Sequence, residues 1–432
     1  MENKNILIIT YYWPPSGGSG VQRWVYFSKY LKKFGWNPMV LTVSPKKASY
    51  RNFDESLSDI VKEIKVTTTN TLEPLKIFSR LTKNSEREGI PSGEINNSNI
   101  FLKFFSFVRG NFFIPDARIG WGFYAKKAAA NIIKREKIKY LITTGPPHST
   151  HLIGLKLFKN FNLKWIVDFR DPWSEIFYNK DLFRLPISIK RDMNYEKKVL
   201  ANASAVLTSS DDEFHNLLIN KIKSKQNFYS IKNGFDKELF KTLKYKKSNL
   251  FKIVHTGNLT NKQSYKQFIN VLLKVSNQYS ENFIELIFAG NISKKILNEF
   301  QKKLPKIKTK FIGYISHKKS IKLIKDSCLL VNFVYKSAEK LTISGKIYEY
   351  MAANSPILCF GDKNSVMGKL LLEGENSLVT DGNNKKIYKF FNNLIVNWKR
   401  GRKNSNKFKN IDLYSRENLT KSNYEKSTDV VI

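Results

Sequence analysis

Residues 5–10 read NILIIT, apolar from Ile6 to Ile9 with no polar alternation. A strand of that kind has no solvent face and belongs in a parallel sheet covered by helices on both sides. The next residues agree. A loop with two prolines and three glycines (13–20) leads to Trp24, Phe27, Leu31 and Phe34 at helical spacing, and Gly35 is placed to end that helix. A second apolar strand follows at 39–43. The rhythm resumes with a helix at 124–137, a strand at 140–144, a helix at 150–160 and strands at 164–169, 205–209 and 228–232. It then repeats in strands at 252–256, 284–289, 309–314, 329–334, 357–360 and 378–380, with helices at 265–278 and 346–353. Such alternation predicts an α/β fold with parallel sheets.

At 432 residues the chain is too long for one ordinary core, so two doubly wound, Rossmann-like domains are expected. Asn233-Gly234 and the lysine-rich stretch 237–249 break the pattern and mark the boundary. The expected division is residues 1–240, residues 250–385, and C-terminal helices at 386–432 packing back toward the first domain. Residues 46–120 are less regular, and 84–99, rich in Ser, Asn, Glu and Gly, reads as a loop.

Apolar runs stay at strand length, far short of the roughly 20 residues a membrane helix needs. The first residues lack a signal-peptide pattern. Cys328 and Cys359 both fall in expected buried strands and offer neither a disulfide framework nor a metal spacing, which fits a cytoplasmic, reducing setting. The formal charge is +38, carried by lysines spread along the whole chain. Specific nucleic-acid recognition is not expected, because no recognition motif accompanies the charge. An anionic membrane surface is the better partner for it. Phe101, Phe104, Phe105, Phe107, Phe112 and Phe113, interleaved with Lys103 and Arg109, suit such an interface; they suit equally a helix packed on the sheet.

Ligands of open parallel sheets bind where strands end, so the loops after strands carry the candidates. Gly17 and Gly18 lie after the first strand, where backbone N–H groups can face an anion, or where a tight turn simply needs glycine. The loop after 140–144 holds His148, suited to a sugar hydroxyl or phosphate, and His151, expected to be a packed or a surface residue. Asp168-Phe169-Arg170-Asp171-Pro172-Trp173 ends the strand 164–169. Arg170 offers bidentate anion recognition. Asp168 and Asp171 can accept sugar hydroxyls or stabilise an oxocarbenium-like centre. Alternatively Asp168 and Arg170 form a buried ion pair. In the second half, Gly257, Asn258 and Lys262 follow the first strand. Ser344 reads as an N-cap, which puts Gly345 and Lys346 at a helix start suited to phosphate. Glu349, one turn on, can hold a ribose or form a surface pair with Lys346.

These segments resemble glycosyltransferase family 4. YYWPPSGGSGVQRW, IPDARIGW, TTGPPHSTHLIG and DFRDPW carry the resemblance, which runs in order over nearly the whole chain. It implies the GT-B fold, two Rossmann-like domains facing a cleft. It also implies retaining transfer from a nucleotide-sugar donor without an essential metal, donor on the second domain and acceptor on the first. On these residues it puts Glu349 at the second place of the family's glutamate pair and Leu341, not acidic, at the first. Asp171, with Arg170 second, takes the acceptor-side catalytic place. Gly17 and Gly18 take the glycine loop, and Asn258 and Lys262 the diphosphate-binding positions. Cell-surface polysaccharide synthesis on a glycan or lipid-linked acceptor is the expected role. The alternative, motivated by Leu341, is a catalytically inactive module that binds nucleotide-sugar or glycan.

Overall fold

A computed structural model describes residues 3–73, 100–210, 213–222, 227–279, 282–335 and 343–427. Residues 84–99, Leu341 and the side chain of Phe101 lie outside the described residues. The chain divides into two compact units, Met1–Asn233 with Arg416–Ile432, and Gly234–Ser415.

The first unit carries β1 (Asn5–Ile9), α1 (Ser19–Lys33), β2 (Asn37–Val43), β3 (Lys65–Thr69), α2 (Ile100–Phe112), α3 (Gly122–Arg135) and β4 (Tyr140–Gly145). After them come α4 (Ser149–Asn160), β5 (Lys164–Phe169), α5 (Pro186–Asn202), β6 (Ala205–Thr208), α6 (Glu213–Ile219) and β7 (Asn227–Ser230). All pairings are parallel, in the order β3-β2-β1-β4-β5-β6-β7.

The unbroken apolar character of β1 is explained by the two cores it serves. Leu7 and Ile9 enter one cluster with Leu141, Trp165 and Val167, while Ile6 and Ile8 enter another with Val25, Tyr30 and Ile142. Successive side chains leave opposite faces of a strand, so both faces of the sheet are covered. The region expected to be irregular contains β3. Its sequence KVTTT packs half-exposed at the sheet edge, so it lacks the apolar signature of a central strand.

The second unit carries α7 (Lys237–Thr242), β8 (Phe251–Thr256), α8 (Lys266–Gln278), β9 (Ile284–Ala289), α9 (Lys294–Lys303), β10 (Lys308–Phe311), α10 (His317–Lys325) and β11 (Leu329–Phe333). Then follow α11 (Lys346–Ala352), β12 (Ile357–Phe360), α12 (Val366–Leu372), β13 (Ser377–Thr380) and α13 (Asn384–Lys399). Its sheet is parallel throughout, β10-β9-β8-β11-β12-β13, and again separates two cores.

The segment expected as C-terminal helices is shared between the units. Ile387, Phe391, Leu394 and Ile395 of α13 fill the second unit's core. The last helix, α14 (Arg416–Ser427), belongs to the first, where Leu419 joins the core under α1 and Glu417 pairs with Lys33 at 2.5 Å. No described helix is long and apolar enough to cross a membrane.

Candidate active site

In each sheet the strand order reverses once, between β1 and β4 and between β8 and β11. Crevices at such switch points, at the carboxyl ends of the strands, are where open α/β sheets hold ligands. The candidate residues gather there, in two separate groups.

In the first unit Asp168, at the end of β5, is fully buried. Its partner is Arg23 of α1, whose Nη2 stands 2.8 Å from Oδ1 and whose Nε reaches both oxygens at 3.2 Å. Trp24 Nε1 (2.7 Å) and Thr144 Oγ1 (2.8 Å) donate to Oδ2. The alternative, an Asp168–Arg170 pair, does not form. Arg170 lies past the strand end, where its planar fork donates to the carbonyls of Gly20, Gly145 and Pro146 and so ties the β1 and β4 loops together. Asp171, next along, is half-buried, and burial raises its carboxyl above the usual range against the pull of Arg170.

The glycine loop is more structural than expected. Gly17 donates its N–H to the Asn52 carbonyl at 2.9 Å, so that amide is already engaged. Gly18 precedes α1 with φ +106°, a conformation only glycine adopts without strain.

His148 is buried and stacks on Trp173, with ring centroids 5.0 Å apart and 8° between the planes. Neither ring nitrogen makes a hydrogen bond of good geometry among the described residues. Burial, followed by the neighbouring His151 and Arg170, holds His148 well below the usual histidine range, so the ring is neutral. Of the two alternatives for His151, the structure shows the packed one: it stacks on Phe169 and Nδ1 meets Thr143 Oγ1 at 2.9 Å.

In the second unit the decisive group is Lys346. Its Nζ donates to the Thr256 carbonyl at 3.0 Å. It also stands 3.3 Å from where a β-carbon on Gly257 would lie, and Gly257 has φ +107°. Among the described residues no carboxylate pairs with this ammonium. Burial lowers its pKa to about 8. Glu349 does not pair with Lys346. It is buried and receives His317 Nε2 on Oε1 at 2.7 Å. Asn258 and Lys262 are exposed on the loop after β8.

The expected cap is corrected. Ser344 is exposed and its side chain makes no hydrogen bond to the backbone N–H groups that open α11. At seven residues α11 also contributes little dipole, so attraction for an anion falls to the Lys346 side chain.

No protein-family profile matches the chain, and no curated protein does. Solved structures do. A glycosyltransferase from Rickettsia africae ESF-5 aligns over 100% of this chain and 99% of its own at 14% identity and TM-score 0.61. Anabaena HepE in complex with UDP and glucose aligns over 98% and 99%, at 13% identity and TM-score 0.60. Sucrose-phosphate synthase from Thermosynechococcus elongatus aligns over 99% and 98%, at 14% identity and TM-score 0.59. The chain has the GT-B fold.

With the GT-B sheets in place, several residues the motifs had not singled out become prominent. Arg23 was visible as a charge on the apolar side of α1, one turn before Phe27, over whose ring it lies at 5.0 Å. His317 had no local signal, since only the fold brings α10 against α11.

Proposed function

We propose that this GT-B chain transfers a sugar from a nucleotide-sugar donor to an acceptor, with the donor on the second unit. The observation that carries this is the Lys346 ammonium, which has no carboxylate partner among the described residues and is set against the Thr256 and Gly257 backbone near Glu349. An ammonium with no carboxylate partner, at the switch point of a parallel sheet, suits the diphosphate of a donor. Glu349, steadied by His317, suits the ribose hydroxyls. Anabaena HepE, which shares the fold, is described in complex with UDP and with UDP-glucose, and that favours a uridine nucleotide.

The finer reading follows the resemblance to glycosyltransferase family 4: retaining transfer, no essential metal, and an acceptor on the first unit that belongs to surface polysaccharide. In this reading Lys346 meets the charge that a metal would otherwise neutralise. Asp171 acts as the carboxylate near the reacting centre, with Arg170 holding its loop and His148 supplying a neutral hydrogen-bonding ring. Asn258 and Lys262 complete the donor side.

Calorimetric titration of the protein with UDP and UDP-sugars tests the donor assignment. Glu349→Ala is expected to weaken UDP binding by roughly 1–3 kcal/mol, the scale of hydrogen bonds to a charged group. Unchanged affinity would remove Glu349 from the donor site.

Asp171→Asn is expected to lower kcat far more than donor affinity, since a charge that matters as the transition state forms acts on turnover. The acid side of the kcat–pH profile should share the upward displacement of the Asp171 carboxyl, because the active carboxylate is lost as pH falls through its pKa. That limb should disappear in the variant. Lost donor binding with intact turnover of bound donor would contradict the role.

A further inference from the structure

In the second unit the loop after β8 starts at Gly257, against which Lys346 rests, and ends at Tyr265, just before α8. Its first half is tied to the end of β9. The Gly257 N–H donates to the Ala289 carbonyl at 2.7 Å, and the Leu259 N–H to the Asn291 carbonyl at 3.1 Å. Its second half is a turn, Thr260-Asn261-Lys262-Gln263, closed by the Gln263 N–H on the Thr260 carbonyl at 3.2 Å. Such a bond by itself is enough to close a turn. Here the same residue closes it a second time, because Gln263 Oε1 accepts the Thr260 N–H at 2.8 Å.

The other end of that amide reaches outside the turn. Gln263 Nε2 donates to the Phe333 carbonyl, where β11 ends, at 2.7 Å. The Gln263 backbone also forms an antiparallel bridge with Tyr335, and Thr260 Oγ1 donates to the Tyr335 hydroxyl at 3.2 Å. Gln263 is 6% exposed and Thr260 1%, whereas Asn261 and Lys262 between them are exposed. A buried side-chain amide is costly unless its oxygen and its nitrogen are both bonded, and here both are. β8 and β11 are the two strands of the switch point. The loop therefore leaves one of them and is pinned to the other, and its exposed tip carries Lys262.

We infer that Gln263 is a positioning residue for the donor diphosphate: by locking the turn to β11 it holds Lys262 in place on the same loop that rests against Lys346. This deepens the proposed function and rests on its donor assignment. The physical reason is preorganisation. A lysine on an untethered loop must order both loop and side chain as the anion binds; with the tether, the loop is ordered on folding instead. Gln263, buried beneath the turn, acts through Lys262 and not on the ligand. Its effect therefore follows the phosphates and not the nucleoside.

The test titrates the full chain with UDP by calorimetry and with uridine by ligand-observed NMR. Gln263→Met keeps the length of the side chain and removes its hydrogen bonds. It should weaken UDP about three- to tenfold, within the range of coupling between residues of one network, and leave uridine affinity unchanged. Lys262→Met should weaken UDP by a similar factor, and adding Gln263→Met to it should cost nothing more. Should Gln263→Met fail to melt cooperatively, Tyr335→Phe, which removes only the hydroxyl bonded to Thr260, should show the same loss confined to UDP. Equal loss of UDP and uridine, or full additivity in the double variant, would overturn the positioning role in favour of a purely structural one. Unchanged UDP affinity in Gln263→Met, beside weakened binding in Lys346→Gln, would overturn it and leave the donor assignment standing. No UDP binding by the wild-type chain would sink the donor assignment and this inference with it.

Discussion

Arg23→Met is expected to destabilise the first unit by about 3–5 kcal/mol, the cost of breaking a buried ion pair by removing one member. Arg23 is 1% exposed, and Asp168 is completely buried. Without the guanidinium, the carboxylate keeps only Trp24 and Thr144, and the Ile231 carbonyl loses the Nη1 donor that stands 2.7 Å away. For a unit of this size that corresponds to a fall of roughly 6–20 °C in melting temperature. The double variant Arg23→Met/Asp168→Leu should recover most of the loss, since replacing both charges removes the uncompensated carboxylate. Urea denaturation followed by tryptophan fluorescence reports this unit selectively. Trp13, Trp24, Trp36, Trp121, Trp165 and Trp173 all lie in it, and Trp398 is the single exception. A loss under 1 kcal/mol, or a double variant no more stable than the single one, would show that the pair does not hold the β5 loop.

Lys346→Gln is expected to weaken UDP binding about 10- to 150-fold, or about 1.5–3 kcal/mol, the range for a hydrogen bond to a charged group. The effect is large because the ammonium, held on the Thr256 carbonyl, has no carboxylate partner among the described residues to compete with the diphosphate. Burial sets its pKa at about 8, so the ammonium is charged below that pH and neutral above it. An anion binds the charged form. UDP affinity should therefore hold on the acid side and decline as pH rises through about 8, and Lys346→Arg, which stays protonated, should flatten that decline. Calorimetry across this range is the measurement. A flat wild-type profile together with a normal affinity for Lys346→Gln would place the diphosphate elsewhere.

Much of the architecture was legible because it rests on local patterns. Continuous apolar runs identified the central strands of both sheets, since a strand covered on both faces tolerates no polar alternation. The same criterion passed over β3, whose threonines pack half-exposed at an edge. The loops after β4, β5 and β8 drew the candidates because strand ends in parallel sheets leave backbone groups and side chains facing open space.

What could not be read was partnership. Asp168 and Arg170 are two residues apart, yet the ion pair crosses 145 positions to Arg23. Lys346 and Glu349 share a helix turn, yet the carboxylate turns to His317 and the ammonium to the Thr256 carbonyl. Ser344 has the chemistry of a cap but makes no capping bond. Gly110 and Asn111 take hydrogen bonds from Arg184 and Leu185, each 74 positions along the chain. The sequence by itself determined which segments become strands and helices and which loops meet at the sheet ends, because those follow from side-chain periodicity and from the glycines and prolines between. Only the tertiary structure decided which charges compensate each other and which stand alone, because burying a charge is costly without a partner and the nearest partner in space is seldom the nearest in the chain.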